Sequence, residues 1–396
     1  MVEENMKDAG SKELQLRVLG TRISVVMDSG VTNDLLLELQ RAWSRCLDHA
    51  GSPPISHRLH WAAAFDHSEL IPFRARVSSM GGTSFVAGQT FRDFAATLTT
   101  TITLAGVAVS KGDLLMLHAA GLCDPRTGRT TALVGRSGMG KTTATRRLGV
   151  DLGYVTDETV ALDGSNAIVP YPKPLSVITQ GHPAPKRQVG PDELGLMVAP
   201  DAPTLASVAL LDRNCDSELP LITPLGHAEA IIELAPQASF LGAVEQPLQR
   251  LCSILDRTGG AVRVSYREAK DLAGILPQLM ERAPMAKTWS AALVERTETA
   301  PGGTAHSGFF RRGTLIDAVE IPAPTGQGTE LVAMTEHGIV HVTGIGPVVW
   351  NALAVPCDIN AIAERIAPHV GLPHGYAAHL RSVVEELKSH GILVDS

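Results

Sequence analysis

Hydrophobic residues change their spacing along this chain, and the changes predict both strands and helices. Alternation predicts strands across residues 14–28, while spacings of three and four predict helices over 33–47 and near 90–100. Residues 55–110 are otherwise expected to alternate short strands. Short apolar runs predict strands at 114–122, 130–134, 154–156, 159–162, 205–212 and 261–266, and amphipathic stretches predict helices at 142–148, 227–234, 248–256 and 268–279. The pattern is that of a mixed α/β protein.

The C-terminal part has a pattern of its own. Three short strands are predicted at 313–322, 330–335 and 339–343, followed by helices at 348–353, 358–370 and 374–390. A stretch rich in Pro, Gly and Thr precedes them and predicts a linker. The expected organisation is a disordered tail at 1–12, a small α+β domain at 13–108, a central α/β domain at 109–284, the linker at 285–308 and a last domain at 309–396.

Composition excludes several classes of protein. The chain has 396 residues, of which 44% are hydrophobic and 19% charged, as in ordinary globular proteins. The net charge is −7 and no block of Lys or Arg occurs, so nucleic acid is not an expected partner. The polar, acidic N-terminus does not resemble a signal peptide, and no apolar run reaches the roughly 18 residues of a membrane span. We therefore expect a cytoplasmic protein without membrane partners.

The five cysteines are widely scattered, and no CxxC pair occurs. This spacing indicates neither a zinc cluster nor a disulfide framework. We expect Cys46, Cys123, Cys215, Cys252 and Cys357 to be small buried apolar residues.

One segment carries the strongest chemical signal. Residues 135–143, GRSGMGKTT, fit the Walker A pattern GxxxxGK[ST] between a predicted strand and a predicted helix. Glycines let backbone N–H groups converge on phosphates, Lys141 adds positive charge, and the Thr142 hydroxyl can ligate Mg²⁺. The predicted nucleotide-binding residues are Gly135, Arg136, Ser137, Gly138, Met139, Gly140, Lys141, Thr142 and Thr143. ATP and Mg²⁺ are the expected ligands, while a phosphate loop alone leaves the reaction class open.

Three further polar residues end predicted strands near this loop. Asp157 and Glu158 follow one strand, and His118 lies in another. One carboxylate, for which Asp157 is the candidate, can contact Mg²⁺ and a second can accept a proton from an attacking hydroxyl. Which of the two would be the base stays open. The structural alternatives are a solvated turn for the acid pair and a hydrogen-bonded core histidine for His118.

Together these segments resemble the kinase domain of the HPr kinase/phosphorylase superfamily. The resemblance covers about residues 110–280 and includes LLMLHAAG, GRSGMGKTT, the Asp157-Glu158 turn and the segment from Pro172 to Leu175. It implies an α/β P-loop kinase fold and phosphoryl transfer from ATP to a serine hydroxyl, with Asp157, Glu158 and His118 as catalytic residues. Glu158 stands where HPr kinases carry Asp. HPr kinases form oligomers, so a homo-oligomer is possible by resemblance.

Residues 309–396 resemble PqqD-type domains, the winged-helix-like recognition elements of peptide-modification systems. The shared features are a strand ending in HVT, an apolar helix with Trp350, two further helices and a closing Gly391-Ile-Leu. The resemblance implies that a leader peptide adds as a strand to the edge of a three-stranded sheet. The helix at 374–390 would face it, with Leu380 and Val384 either lining the peptide-binding groove or packing in the core. The alternative for the whole unit is a structural domain without peptide affinity.

The sequence thus favours a kinase for a Ser or Thr hydroxyl of a ribosomally made precursor peptide, acting with other peptide-modifying enzymes as possible partners. Two alternatives remain: a non-catalytic, nucleotide-binding peptide chaperone, and a kinase for a small molecule such as free serine. Lys186-Arg187 could contact phosphate or an acidic substrate, or could be an exposed loop pair.

Overall fold

The computed structural model describes residues 12–48, 71–178, 186–213, 219–292, 308–371 and 375–396. Residues 1–11 of the predicted tail, residues 293–307 of the predicted linker, Cys215 and His374 lie outside this part. Within it the chain is a mixed α/β protein with several β-sheets. No helix of the described residues is both long enough and apolar enough to cross a membrane.

The helices are α1 Asn33–Ala42, α2 Phe91–Val109, α3 Lys141–Leu148, α4 His227–Leu234, α5 Pro247–Arg257, α6 Leu276–Met280, α7 Gly346–Ala352, α8 Ile359–Val370 and α9 Tyr376–Ser389. The strands up to residue 265 are β1 Lys12–Val18, β2 Thr21–Met27, β3 Phe73–Ser79, β4 Gly82–Gly88, β5 Leu115–Cys123, β6 Arg129–Val134, β7 Gly153–Thr156, β8 Thr159–Leu162, β9 Ile168–Val169, β10 Leu175–Val177, β11 Arg187–Val189, β12 Met197–Val198, β13 Thr204–Asp212, β14 Leu221–Pro224, β15 Ala238–Ser239 and β16 Ala261–Ser265. The remaining strands are β17 Ser290–Ala291, β18 Phe309–Arg312, β19 Asp317–Pro322, β20 Thr329–Thr335, β21 Gly338–Val342, β22 Cys357–Asp358 and β23 Leu393–Asp395.

The chain divides into two compact units. Unit 1 comprises Met1–Thr223, Gln237–Phe240 and Val262–Arg282; unit 2 comprises Pro224–Pro236, Leu241–Ala261 and Ala283–Ser396. Helices α4 and α5, which the sequence prediction assigns to the central domain, therefore group with the C-terminal elements.

The N-terminal part of unit 1 is an antiparallel sheet in the order β1-β2-β3-β4. A two-residue turn, with Leu19 and Gly20 at positive φ, joins β1 to β2, as expected for a tight hairpin. Helix α2 contacts this sheet so closely that a Cβ on Gly106 would lie 2.5 Å from Cγ1 of Val18. The N-terminal core also includes Met116 of β5 and Tyr171, so it is continuous with the region that follows.

Helix α2 is longer than the helix predicted near 90–100. It begins at the Thr90 cap and continues to Val109 through a β-branched stretch of low helix propensity. Burial of Ile102 and Val107 stabilises the added turns. The Thr103 hydroxyl donates to the carbonyl of Thr99 at 3.0 Å, so this polar group is satisfied inside the helix.

The large sheet of unit 1 has the order β12-β7-β5-β6-β13-β16-β14. Strand β13 is parallel to β6, whereas β5 is antiparallel to both β6 and β7. Strand β5 pairs with β8 through His118 and with β6 from Ala119 onward, so it changes neighbours beside the histidine. The single helix predicted over 268–279 is wrong: a 3-10 segment over Ala269–Gly274 precedes α6, whose first turn contains Pro277.

Unit 2 contains two further sheets, ordered β17-β19-β20-β21 and β22-β18-β23. Helices α7, α8 and α9 supply Trp350, Ile362, Leu380 and Val384 to one core. The Arg312 guanidinium stacks on the ring of Trp350 with its carbon 3.8 Å from the centroid, which covers this ring with a cation. The predicted three-stranded sheet is thus observed as β19-β20-β21 with the short strand β17 added at one edge.

Candidate functional site

The loop from Gly135 to Gly140 connects β6 to α3. Gly138 and Gly140 have φ values of +89° and +88°. Residues that carry a Cβ adopt such backbone angles only with strain. Gly140 is also the N-cap residue of α3. The Tyr266 hydroxyl donates to the carbonyl of Met139 and packs against this end of the loop, since a Cβ on Gly140 would lie 3.0 Å from it. The loop therefore turns tightly and directs the N-terminus of α3 toward the site.

Lys141 begins α3 and its side chain is buried. Its Nζ donates to the carbonyls of Gly135 and Arg136, the second at 3.3 Å, so the ammonium group lies against the loop. Burial lowers the pKa of Lys141, while nearby Asp157 and Glu158 oppose that decrease. The positive charge is consequently held close to the backbone that would surround phosphates.

The acid pair lies in the turn between β7 and β8. Thr142 Oγ1 donates to Asp157 Oδ2 at 3.3 Å, which joins this turn to the first turn of α3. Asp157 is buried, whereas the Glu158 side chain is 38% exposed. The two adjacent carboxylates therefore occupy different environments.

Lys173 is a residue of this site that sequence reasoning missed. Its Nζ lies 3.2 Å from Oδ1 of Asp157 and 3.0 Å from Oε2 of Glu158, and its side chain is only 3% exposed. Its backbone carbonyl accepts a hydrogen bond from the Tyr154 hydroxyl at 2.8 Å. In the sequence, Lys173 is a single lysine between Pro172 and Pro174, and no pattern there indicates a buried cation.

Lys173 determines the electrostatics of the acid pair. Burial alone would raise the pKa of Glu158, but the charge and hydrogen bond of Lys173 lower it overall. Burial alone would lower the pKa of Lys173, and Asp157 and Glu158 raise it overall. Lys173 is thus a fixed cation and Glu158 a fixed anion near neutral pH.

His118 lies on β5 directly beside the acid turn. The backbone N–H of Ala119 donates to the carbonyl of Glu158 at 3.0 Å, and His118 is paired in register with Thr159 of β8. Burial and then Lys141 lower the pKa of His118, with the two carboxylates opposing. The imidazole is therefore neutral at pH 7 and can donate or accept a hydrogen bond.

These groups line one cleft of ≈ 400 Å³ within unit 1. It contains the loop, the acid pair, His118 and several cations, and a nucleotide's phosphate groups are the kind of ligand that such a set attracts. The lining residues are His118, Arg136, Ser137, Gly138, Gly140, Lys141, Thr142, Thr143, Arg146, Asp157, Glu158, Lys173, Ser176, Ile178, Lys186 and Arg213.

The residues present fit Mg²⁺. Among the described residues no group of three or more His, Cys, Asp or Glu side chains is arranged to hold a metal by itself. Mg²⁺, however, is commonly held by one or two protein oxygens together with substrate phosphates and water. The neighbouring oxygens of Thr142 and Asp157 are donors of that kind.

Not every predicted residue lines the cleft. Gly135 and Met139 do not line it. They pack closely against each other, since a Cβ on Gly135 would lie 3.3 Å from that of Met139. Lys186 lines the cleft, whereas Arg187 pairs with Glu193 at 2.8 Å. Leu380 and Val384 are 2% and 1% exposed in the core of unit 2, so each packs against other core residues there.

Comparison with known proteins gives no further assignment. Neither a scan against protein-family models nor a search of curated proteins produced a match. The functional argument therefore depends on the geometry of the cleft.

Proposed function

We propose that this protein is an ATP- and Mg²⁺-dependent kinase for a Ser or Thr hydroxyl of a ribosomally synthesised precursor peptide. The observation that carries the proposal is the convergence of the loop and the acid pair, joined by the hydrogen bond between Thr142 and Asp157. A phosphate-binding loop beside a pair of carboxylates is the equipment that phosphoryl transfer to a hydroxyl requires. On this proposal, unit 1 contains a P-loop kinase fold of the HPr kinase type.

Each group has a distinct role in the proposed reaction. The loop N–H groups and Lys141 orient the triphosphate, and Thr142 and Asp157 hold Mg²⁺, which neutralises charge on the phosphates. The more exposed Glu158 accepts the proton of the acceptor hydroxyl, and the oxygen of that hydroxyl forms a bond to the γ-phosphorus. The bond between that phosphorus and the β–γ bridging oxygen breaks, and ADP leaves. Neutral His118 donates or accepts a hydrogen bond at the acceptor or the phosphates.

The difference in environment supports this division between the two acids. Asp157 is buried and contacts Thr142 in the first turn of α3. A metal ion bound by Thr142 would therefore also lie close to Asp157. Glu158 has an exposed face toward the cleft, as a base requires to reach a substrate hydroxyl. The longer Glu side chain also extends farther from the turn than Asp would.

For unit 2 we propose a winged-helix-like recognition domain that captures the leader peptide. Strand β21 is the edge of its sheet and pairs with β20, leaving its other side available for an added strand within the described sheet order. Such addition obtains affinity from backbone hydrogen bonds. Because Leu380 and Val384 are buried, the more exposed residues of β21 itself, such as Ile339 and His341, are the proposed contacts.

The direct test combines purified protein with ATP, Mg²⁺ and the candidate precursor peptide, followed by mass spectrometry. The expected result is the gain of one phosphoryl group, abolished by Lys141→Ala. Peptide binding without a mass change would contradict the kinase proposal and support a nucleotide-binding chaperone. Phosphorylation of free serine at a rate unaffected by deletion of 309–396 would instead indicate a small-molecule kinase.

A further inference from the structure

The cleft carries more positive charge than its proposed nucleotide requires. Among the described residues, six cationic side chains and two carboxylates line it, a formal excess of four positive charges. The chain as a whole has a net charge of −7, so this concentration is local. A magnesium–ATP complex carries about two negative charges near neutral pH, which leaves part of the excess uncompensated.

The cations are not equivalent in position. Lys173 is paired with the two acids, and Lys141 lies against the loop. Arg213 also lies at the loop, because a Cβ on Gly140 would be 3.5 Å from its Cδ. Together with Arg136 of the loop itself, these groups account for the nucleotide side of the cleft.

Two cations remain on the other wall, which we call the α3–β10 wall and define by Arg146, Ser176, Ile178 and Lys186. Arg146 follows Thr142 by four residues, about one helical turn farther along α3. Ser176 is on β10 and Lys186 immediately precedes β11, and these strands pair with each other. Helix α3 contacts β10, so the wall is continuous.

Both wall cations are exposed to solvent. Within the described part of the chain, neither Arg146 nor Lys186 forms an ion pair with a carboxylate. The nearby Arg187, in contrast, pairs with Glu193. It lines a separate pocket that residues of α1 and α2 also line. Ser176 is hydrogen-bonded to Gln188 at 3.0 Å, so the wall groups that remain for a ligand are its two exposed cations.

We propose that the α3–β10 wall binds carboxylate side chains of the acceptor, so that the substrate is an acidic peptide segment with Asp or Glu close to the phosphorylated hydroxyl. The inference rests on the proposed kinase function and specifies its substrate class. Two cations that form no ion pair within the described residues, in the same cleft as the acid pair, would attract such a segment and hold its hydroxyl near Glu158. The same charges would repel a basic segment, which adds selectivity.

The test uses three synthetic peptides of equal length, each with one central Ser and flanks of Asp, Ala or Lys. With full-length protein and saturating magnesium–ATP, kcat/KM should be about tenfold higher for the Asp peptide than for the Ala peptide, and lowest for the Lys peptide. The double variant Arg146→Glu, Lys186→Glu should prefer the Lys peptide. Its KM for ATP should stay close to that of the wild type.

Arg147→Glu is the matched control, because Arg147 is the exposed neighbour of Arg146 on α3 but does not line the cleft. It changes the net charge in the same direction and should leave the peptide preference unchanged. Equal rates for the three peptides, an equal effect of Arg147→Glu, or an increase confined to the KM for ATP would each overturn the proposal.

A binding measurement separates this proposal from the kinase proposal. A fluorescent Asp-rich peptide without Ser or Thr should bind in an anisotropy titration, bind more weakly as salt rises, and lose affinity in the double variant. If neither these peptides nor the candidate precursor peptide is phosphorylated but this binding persists, the acidic-ligand wall stands and the kinase function fails. If the Asp-rich and Lys-rich peptides bind equally well, the wall proposal fails whatever the catalytic result.

Discussion

The Nζ of Lys173 lies 3.2 Å from Oδ1 of Asp157, and both side chains are at least 96% buried. Removing one partner of a buried ion pair leaves the other charge without compensation. We therefore expect Lys173→Met to decrease the free energy of unfolding by about 3 kcal/mol or more. Urea denaturation of the wild type and the variant would measure this loss.

A double-mutant cycle gives the control for this prediction. Asp157→Asn combined with Lys173→Met should be less destabilising than the sum of the single changes, because the combination removes both charges. Additive effects would mean that the contact between the two groups contributes nothing to folding, contrary to the short distance.

The second prediction separates the two acids. Asp157→Asn should raise the Mg²⁺ concentration required for half-maximal activity, because it replaces a proposed metal ligand. Glu158→Gln should lower kcat by about 10²- to 10⁴-fold with little change in the Mg²⁺ requirement, because it removes the proposed base. Titrations of activity with Mg²⁺ and direct Mn²⁺ binding would distinguish these effects. The reverse pattern would exchange the two roles.

Local sequence patterns predicted the loop and the acid pair because these residues lie at the ends of strands. The loop follows β6 and the acid pair follows β7. The prediction that His118 ends a strand is wrong, because β5 continues to Cys123 after it changes neighbours at His118. Lys173 was missed because it belongs to an irregular segment whose burial depends on contacts with Tyr154 and the acid turn. Periodicity carries no information about such long-range pairs.

The domain boundaries also depend on long-range contacts that local sequence patterns do not reveal. The bounds of α4 match the prediction, and α5 differs by one residue at each end, because both have regular apolar spacing. Their grouping with unit 2 could not be predicted, since it depends on tertiary contacts such as those of Asp317 with α5. Helix α2 likewise exceeds its prediction because burial outweighs the low propensity of its second half.

The third prediction concerns the pH dependence of stability. The pKa of folded His118 is below its ordinary value of 6.5, so between the two values the unfolded chain binds more protons than the folded protein. Stability should therefore fall as pH decreases through 6.5. His118→Gln should show a smaller decrease than the wild type between pH 7 and 5, measured by urea denaturation at each pH. Parallel curves for the two proteins would contradict the lowered pKa.

The final prediction tests the grouping of α5 with the C-terminal sheet. Buried Asp317 on β19 accepts hydrogen bonds from the backbone N–H groups of Leu248 at 2.8 Å and Gln249 at 3.1 Å, at the start of α5. Asp317→Ala leaves these donors without their acceptor and should decrease the free energy of unfolding of unit 2 by about 2–3 kcal/mol. Glu336→Ala, at a side chain 84% exposed, is the matched acidic control and should change the free energy of unfolding little.

Hydrogen exchange followed by mass spectrometry should show faster exchange in α5 and β19 of the Asp317→Ala variant, with the phosphate loop and α3 unaffected. Uniform destabilisation of all segments would instead show that Asp317 contributes to a single cooperative fold rather than to unit 2.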